Sequence, residues 1–340
     1  MLRRRTGLVL HEPAKCCGGY TLFAPDHGRR VFLIDMEGNI VHEWRVPTVH
    51  FAILLPNYHL LHDTQFDDEV PRGIREVDWD GNEVWFYECL WHHDAQRLEN
   101  GNTILLAHEP VDNPAVYAGG PIEKNTKIVE VTPEKQAVWE WYSDRHIEEL
   151  TRLVGVKFPL DTMDWTHSNS VQVLPDTPSG QRDARFKAGN VLISHRTIST
   201  IAVIERETGE VVWAYGPGNI DFQHHANMID NGHILVFDNG THRDYSRVVE
   251  LDPITERVVW EFKDDPPQRM HAKYLSGQQR LPNGNTFICA GGMDNGRLLE
   301  VTPDCEVVWD YLNPFARRAD GRTKVYRAYR YEPEFIEARL

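Results

Sequence analysis

Val258-Val259-Trp260 is one of six short stretches in which a tryptophan follows an apolar residue within three positions. Apolar and aromatic residues in such a run are typical of a half-buried β-strand. The other five are Val41-His42-Glu43-Trp44, Glu83-Val84-Trp85, Ala137-Val138-Trp139, Val211-Val212-Trp213 and Val307-Val308-Trp309, and neighbouring tryptophans lie 41 to 74 residues apart. A repeat of this length predicts the blades of a propeller or the units of a solenoid.

The residues around each tryptophan predict one four-stranded blade. Between His93 and Trp141, four short strands rich in β-branched and aromatic residues are separated by turns such as Glu99-Asn100-Gly101. The same order recurs over 51–85, 169–213, 226–260 and 277–309, and a sixth unit over 20–44 lacks its first strand. The alternating segment 324–331 can supply that strand. We therefore predict an all-β, six-bladed β-propeller with four-stranded antiparallel blades, closed by the C-terminal strand, as a single domain over 1–340.

Two segments do not fit this repeat. Apolar residues at helical spacing over 145–153 predict a short helix inside an insertion near 143–164, and this helix is a candidate lid over one mouth of the propeller. The polar segment 176–188 contains proline and glycine, so we expect an exposed hairpin tip.

Composition limits the partners and the compartment. With 36 basic and 51 acidic residues, the net charge of -15 argues against nucleic acid and anionic membranes as partners. The apolar stretch after Arg3-Arg4-Arg5 is too short for a signal peptide, and no apolar run is long enough to span a membrane. Five cysteines without metal-type spacing suit a reducing compartment. We expect a cytoplasmic protein.

Histidines recur at one position of the repeat. His50, His93 and His224 each stand seven residues before the asparagine of the first hairpin in their unit. Asn169 has the equivalent position in the unit that also contains His167, and Ser276 has it in the last unit. Equivalent positions at the starts of inner strands face the central channel, so we expect these side chains to converge. Convergent imidazoles can act as nucleophile, proton carrier or metal ligands.

Longer motifs resemble a known family. They are Asp164-Trp165-Thr166-His167-Ser168-Asn169-Ser170-Val171, Ser194-His195-Arg196-Thr197-Ile198-Ser199, Gln223-His224-His225-Ala226, Phe237-Asp238-Asn239-Gly240, Tyr245-Ser246-Arg247 and Arg280-Leu281-Pro282-Asn283-Gly284-Asn285. In order and wording they resemble the bacterial arylsulfotransferase family, the phosphonucleotide-independent kind built on a six-bladed propeller. The similarity runs from about Tyr20 to Trp309.

The resemblance implies a transferase without a cofactor. A channel histidine would take the sulfuryl group from an aryl sulfate and pass it to a phenol. The resemblance places His271 as the candidate nucleophile, with His167 and His224 as hydrogen-bond or proton donors. Arg196 and Arg243 are candidates for a sulfate clamp because a guanidinium suits tetrahedral oxyanions. The substrate-binding candidates for a small aromatic or anionic substrate are Asn169, Asn239, Trp165, Phe222 and Tyr274.

Two other functions remain open at this point. In the first, His50, His93, His167 and His224 surround a divalent transition metal in a lyase or hydrolase, because three or four imidazoles suit such an ion. In the second, the propeller binds a partner without catalysis, as many repeat proteins do. The sequence leaves the substrate and the oligomeric state undetermined.

Overall fold

Twenty-five strands and three short α-helices are present in the computed structural model, which describes residues 6–64, 69–113, 121–158, 163–315 and 323–340. The strands are β1 (Gly7–His11), β2 (Tyr20–Pro25), β3 (Gly28–Ile34), β4 (Ile40–Val49), β5 (Ala52–Leu54), β6 (Leu60–Asp63), β7 (Gly73–Val77), β8 (Glu83–Glu88), β9 (Trp91–Arg97), β10 (Thr103–His108), β11 (Thr126–Val131), β12 (Ala137–Tyr142), β13 (Ser168–Val173), β14 (Val191–His195), β15 (Thr200–Ile204), β16 (Val211–Tyr215), β17 (His224–Met228), β18 (Ile234–Asp238), β19 (Arg247–Asp252), β20 (Arg257–Phe262), β21 (Gly277–Arg280), β22 (Thr286–Ala290), β23 (Arg297–Val301), β24 (Val307–Leu312) and β25 (Val325–Tyr331). The helices are α1 (Ile147–Val154), α2 (Pro178–Arg182) and α3 (Pro333–Glu337).

The strands form six antiparallel sheets, which confirms the predicted six-bladed β-propeller. Five sheets have four strands, in the orders β25-β2-β3-β4, β5-β6-β7-β8, β9-β10-β11-β12, β13-β14-β15-β16 and β17-β18-β19-β20. The C-terminal strand β25 pairs with β2 and completes the first blade, as predicted. The sixth sheet has a fifth strand that we did not predict, because β1 pairs with the outer edge of β24.

The repeat tryptophans explain why the motif recurs. Four of them donate their indole N–H to the turn between the third and outer strands of the next blade. These hydrogen bonds run from Trp44 to Asp78 O (3.3 Å), from Trp139 to Arg206 O (3.0 Å), from Trp213 to Glu256 Oε1 (3.1 Å) and from Trp309 to Met36 O (2.9 Å). Each indole thus buries apolar area and satisfies its one polar group in the same contact. The motif links one blade to the next.

The chain divides into two compact units of three blades each. The first unit comprises residues up to Glu88, Asp244–Ser246 and Phe262–Leu340, and the second comprises Cys89–Arg243 and Arg247–Glu261. Each unit has its own apolar clusters, formed where the sheets of neighbouring blades face each other. The prediction of a single domain over 1–340 stays a prediction.

The helix expected over 145–153 is present as α1, preceded by a turn of 3₁₀-helix over Ser143–Arg145. Leu150 is fully buried in an apolar cluster, and Glu149 Oε2 accepts the backbone N–H of Val211 on β16 at 2.8 Å. These contacts fix α1 against β16, and its role as a lid stays a prediction. In the described part of the chain, no helix has the length and apolar character needed to cross a bilayer.

The segment over 176–188 joins the antiparallel strands β13 and β14, as expected of a hairpin tip, but it is not exposed throughout. This segment forms α2 and a 3₁₀ turn over Ala184–Phe186, and Phe186 is fully buried against Trp213, with ring centroids 5.3 Å apart. Thr177 caps α2 through its side chain, which accepts the N–H of Gly180. Proline at the first helical position and a buried phenylalanine outweigh the polar composition from which we predicted a loop.

A buried histidine on β6 predicts a pH-dependent stability. Burial lowers the pKa of His62 from 6.5 to about 4. Between these values the unfolded chain binds a proton that the folded chain does not, so the free energy of unfolding falls as the pH falls through this window. We expect His62 to lower the free energy of unfolding by at most about 1.4 kcal/mol for each pH unit within this window. Urea unfolding of wild type and His62→Gln at pH 7.5, 6, 5 and 4.5 measures it.

We expect the His62→Gln variant to lose less stability than wild type between pH 6.5 and 4.5, because glutamine does not titrate. Its stability at pH 7.5 serves as the reference for packing changes that do not depend on pH. Parallel stability curves for the two proteins would show that His62 does not contribute to acid unfolding.

Candidate functional site

Two adjacent histidines stand on a bulge of β9, in the second unit. Leu105 on β10 pairs with Ala95, but the next paired residue, Ala107, faces Trp91, so His92-His93-Asp94 stands opposite a single residue. His93 has a φ of +67°, a left-handed conformation that costs energy for any residue other than glycine. Such bulges redirect side chains near functional sites. This bulge directs two buried imidazoles toward the neighbouring blade.

His167 comes from that neighbouring blade, immediately before β13, and it also has a positive φ of +44°. Its Nε2 lies 3.0 Å from Nε2 of His93, although 74 residues separate the two in sequence. The His92 ring lies 4.9 Å from the His167 ring and 3.9 Å from the ring of His108, at the end of β10. Four imidazoles therefore form one cluster, which we call the histidine cluster (His92, His93, His108 and His167).

A carboxylate orients one member of the histidine cluster. His167 Nδ1–H donates to Asp164 Oδ2 at 2.6 Å. Burial alone would raise the pKa of Asp164, but the hydrogen bond from His167 and nearby basic groups hold this pKa below its ordinary value. The carboxylate is therefore ionised at neutral pH and fixes the tautomer of His167, so that Nε2 carries a lone pair.

Arg196 lies beside His167. Its backbone N–H donates to the carbonyl of His167 at 3.4 Å, and its guanidinium lies 4.5 Å from the centroid of the Phe222 ring. Burial lowers the pKa of Arg196, while the charges of Asp164 and Asp221 act in the opposite direction. An arginine remains charged under these conditions, so a cation and an aromatic face lie together next to the histidine cluster.

His224 begins β17, two residues after Phe222, and is almost fully buried. Its Nδ1–H donates to Asn239 Oδ1 at 2.7 Å. An amide oxygen only accepts, so this contact leaves the lone pair of the neutral imidazole on Nε2. The strand start is held from the preceding blade, because Asn169 Nδ2 donates to the carbonyl of Gln223 at 2.9 Å. His224 is therefore a fixed imidazole with a defined nucleophilic nitrogen.

Comparison with known protein families identifies the family of this chain. The family model described as Arylsulfotransferase (ASST) matches residues 50–314, most of the chain and all of the site residues described above. The chain belongs to the arylsulfotransferase (ASST) family. The resemblance seen in the motifs is thereby confirmed. A search of curated protein sequences finds no match.

Solved structures share the fold with this arylsulfotransferase family member. A protein of unknown function from Bacteroides caccae is 14% identical, with a TM-score of 0.61 over 92% of this chain and 98% of that one. A streptogramin B lyase is 12% identical, with a TM-score of 0.54 over 96% and 93% of the two chains. Catalytically inactive virginiamycin B lyase from Staphylococcus aureus with quinupristin is 10% identical, with a TM-score of 0.52 over 91% and 88%. At these identities the similarity shows the fold alone.

The structure brings several residues predicted for the family site or for the metal site together within the second unit. His93 meets His167, Arg196 meets Phe222, and Asn239 meets His224. Arg243 is paired with the buried carboxylate of Asp238 at 2.9 Å, and Asp238 also binds Arg247 at 2.7 Å. Trp165 is fully buried in an apolar cluster, a position that suits packing.

The remaining predicted residues lie in the first unit. His271 is half-buried in the connection between β20 and β21, and its Nε2 has no hydrogen-bond partner among the residues that the structure describes. Tyr274 is 40% exposed, and Lys324 Nζ donates to its hydroxyl. His50 donates from Nδ1 to Asp26 Oδ1 at 2.7 Å, with His27 beside it and the Tyr326 ring stacked on it at 3.9 Å. The roles predicted for these residues stay predictions.

The sequence analysis did not identify His92, His108 and Asp164 as site residues. Two signals were present: the doublet His92-His93, and the spacing of Asp164 three residues before His167. The potential ligand atoms of His92, His93 and His167 lie close to one another, whereas those of His50 lie close to Asp26 and His27. The predicted set of four metal ligands therefore falls into separate groups, and its use as one metal site stays a prediction.

Proposed function

We propose that this protein transfers a sulfuryl group from an aryl sulfate to a phenolic acceptor through a sulfohistidine at His224. Membership of the arylsulfotransferase family supports the reaction class. One observation carries the choice of nucleophile: the 2.7 Å hydrogen bond from His224 Nδ1 to Asn239, which leaves the lone pair on Nε2. For His271, the candidate taken from the resemblance, no described contact orients the ring in this way.

In the first half-reaction, His224 Nε2 attacks the sulfur of the aryl sulfate. The N–S bond forms as the S–O bond to the aryl group breaks, and the bonding electrons leave with the phenolate. Asn239 Oδ1 keeps the Nδ1 proton in place and stabilises the positive charge that develops on the ring. In the second half-reaction, the oxygen of the acceptor phenol attacks the same sulfur and releases His224.

Arg196 supplies the positive charge for both half-reactions. The nonbridging sulfate oxygens need hydrogen-bond donors whose attraction increases as negative charge moves toward the departing oxygen in the transition state. The planar guanidinium matches the geometry of these oxygens. It lies against the Phe222 ring, and no carboxylate among the described residues pairs with it. The Phe222 ring is also a candidate contact for the substrate ring, through the part of its surface that Arg196 does not cover.

The proton of the acceptor phenol passes to His167. Its Nε2 has a lone pair because Asp164 holds the proton on Nδ1, and the hydrogen bond to the carboxylate makes Nε2 more basic. It accepts the phenol proton in exchange for its 3.0 Å contact with His93 Nε2. His167 then releases this proton to solvent, where it replaces the proton that the departing phenolate takes up. The two half-reactions balance without a cofactor.

The first test measures transfer directly. We expect p-nitrophenol release from p-nitrophenyl sulfate to depend on an added phenol, with the ping-pong kinetics of a covalent intermediate. Incubation with the donor alone should add the mass of one SO₃ group to the peptide that contains His224. Mass spectrometry of the alkali-quenched enzyme measures this adduct.

Release of p-nitrophenol at the rate of the buffer, with every phenol tested and no adduct, would refute sulfuryl transfer. An adduct on the peptide that contains His271 would keep the reaction class and move the nucleophile. Heat-treated enzyme is the control for nonenzymatic hydrolysis of the donor.

A metal-dependent lyase or hydrolase is the second candidate function. The 3.0 Å contact between the Nε2 atoms of His93 and His167 favours it, because two ring nitrogens that face each other need a proton or a metal ion between them. Under this function, turnover needs no phenol acceptor. Turnover would also stop on treatment with a chelator and return on addition of a divalent metal ion.

A further inference from the structure

We propose that His92, His93 and His167 form a binding site for a divalent transition-metal ion such as Zn²⁺, with Asp164 as the partner that orients His167. This site goes beyond the proposed sulfuryl transfer and does not depend on it. In the metal-free protein His167 Nε2 is the proposed proton acceptor, and a bound ion would take that lone pair, so the proton of the phenol would then pass to water. It also differs from the four ligands predicted from the sequence, because it includes His92 and leaves out His50 and His224.

The distances fit coordination by one ion. Two imidazole nitrogens bound at about 2.0 to 2.1 Å to one ion lie roughly 2.8 to 3.4 Å apart for angles between octahedral and tetrahedral. Nε2 of His93 and Nε2 of His167 lie 3.0 Å apart. One ring nitrogen from each of His92, His93 and His167 lies within 4.8 Å of the other two. We expect the side chain of His92 to adjust on binding, so that its nitrogen becomes the third ligand.

The lone pairs also fit. His167 keeps its Nδ1 proton on Asp164, so its Nε2 offers a lone pair to the space between the rings. In the protein without metal, His93 Nε2 must donate its hydrogen to that lone pair. When a divalent ion binds, the proton of neutral His93 moves from Nε2 to Nδ1, so that both Nε2 lone pairs become ligands. The bond from His167 to the carboxylate is the outer contact that histidine ligands usually make.

The backbone supports the same arrangement. His93 and His167 both have positive φ, and His92 lies within the bulge of β9. Left-handed conformations at two nonglycine residues are unfavourable and persist where the surrounding structure imposes them. Here they bring the two Nε2 atoms together from neighbouring blades, so the strain serves one specific contact.

A second group of potential ligands fits a metal less well. Asp26, His27 and His50 also place their ligand atoms within 4.8 Å of one another. In that group the carboxylate bonds directly to the ring nitrogen that faces it, Nδ1 of His50, at 2.7 Å. Such a pair is satisfied without a metal ion, because the carboxylate accepts the ring N–H. The histidine cluster instead places two ring nitrogens against each other.

Three imidazoles leave at least one coordination position open for water or for an anionic oxygen. Arg196 is the residue after β14, and its backbone N–H donates to the carbonyl of His167. We expect its guanidinium to act as a second cation for a metal-bound anion. The site therefore suits a sulfate, phosphate or phenolate oxygen as its exchangeable ligand.

The test measures binding rather than turnover. Protein purified without chelator or affinity metal is dialysed, titrated with Zn²⁺ by calorimetry, and titrated with Co²⁺ while the visible spectrum is recorded. We expect about one ion per chain, with Co²⁺ bands typical of nitrogen ligands. The His92→Ala and His167→Ala variants should lose this binding, and Asp164→Asn should weaken it by about 10- to 100-fold.

His50→Ala and His233→Gln are the matched controls. His50 belongs to the other ligand group, and His233 is a histidine–carboxylate pair with Glu250 on the turn after β17. Both should bind Zn²⁺ as wild type does, and circular dichroism checks that every variant is folded. If wild type binds no Zn²⁺, the metal site is refuted. It is also refuted if His50→Ala loses binding while Asp164→Asn and His167→Ala retain it. Neither outcome affects the test for the sulfohistidine.

Discussion

The His224→Gln variant should lose sulfuryl transfer by about 10³-fold or more in kcat/KM, the largest effect that we expect of any single substitution in this protein. Glutamine keeps a polar side chain of similar reach but has no ring nitrogen that can attack sulfur. Nε2 of His224 is the atom to which the 2.7 Å contact with Asn239 assigns the lone pair. The p-nitrophenyl sulfate assay with a phenol acceptor measures the loss, and the SO₃ adduct should disappear with it.

Asn239 and His233 supply the comparisons for this prediction. Asn239→Ala removes the acceptor that fixes the ring, so we expect a loss of about 10-fold or more with the adduct still on His224. His233 also donates from Nδ1 to a side chain, at 2.6 Å to Glu250 Oε1, but it lies on the turn after β17. His233→Gln should keep wild-type kcat/KM. Full activity in His224→Gln together with loss in His271→Ala would reassign the nucleophile to His271.

The Arg330→Met variant should lose about 3 to 5 kcal/mol of unfolding free energy, the largest stability effect that we expect. Arg330 lies on β25, and its Nη1 donates to Glu300 Oε2 at 3.1 Å. The two side chains are 1% and 0% exposed. Burial lowers the pKa of Arg330, while the charge of Glu300 acts in the opposite direction. Removal of the guanidinium leaves a buried carboxylate without its counter-charge, and urea unfolding at pH 7.5 measures the cost.

A double variant separates the charge from the packing. Glu300→Gln added to Arg330→Met removes the uncompensated charge, so the double variant should be more stable than Arg330→Met alone. The exposed pair of Lys15 and Glu306, with side chains 45% and 49% exposed, is the control. Lys15→Met should change the unfolding free energy far less than Arg330→Met does, because an exposed ion pair contributes little. Equal losses in Arg330→Met and Lys15→Met would show that the buried pair, which joins β25 to β23 of the last blade, does not stabilise the fold.

The success of the fold prediction has an identifiable cause. Within each unit, neighbouring blades bury their apolar faces against each other, so strand periodicity and turns carry most of the information. The tryptophan motif also contains the contact between blades, because Trp44, Trp139, Trp213 and Trp309 donate to the following blade. The missing first strand could be located in the same way, since an incomplete sheet exposes an edge that another segment must cover.

The parts that the sequence analysis missed depend on contacts outside the repeat. β1 pairs with β24, although no periodic pattern marks residues 7–11 as the fifth strand of the last blade. The segment over 176–188 has a polar composition, but Phe186 has a buried position against Trp213. Composition describes the average environment of a segment, whereas a single buried ring can decide its structure.

Part of the candidate site was predicted from positions in the sequence repeat, and the structure added the remaining residues. Counting from the hairpin asparagines indicated His93 and His224, and the motif of the family indicated His167 and Arg196. The count did not include His92, because it lies one residue away from the repeat position, and β-bulges change which side chain faces inward. The count also does not show that His50 bonds to Asp26 rather than to another imidazole.

The amino-acid sequence alone determined the number of blades, their strand order and the family, because these follow from local periodicity and from motifs read along the chain. Only the tertiary structure decided which ring nitrogens are in contact. His93 and His167 lie 74 residues apart in sequence, and their left-handed backbone conformations turn the two rings so that the Nε2 atoms meet. Tautomers were decided there as well, since Asp164 and Asn239 fix the protons of His167 and His224 through contacts of 2.6 and 2.7 Å. The physical reason is that propensity acts over a few residues, whereas the reactivity of an imidazole depends on the atoms that surround it in space.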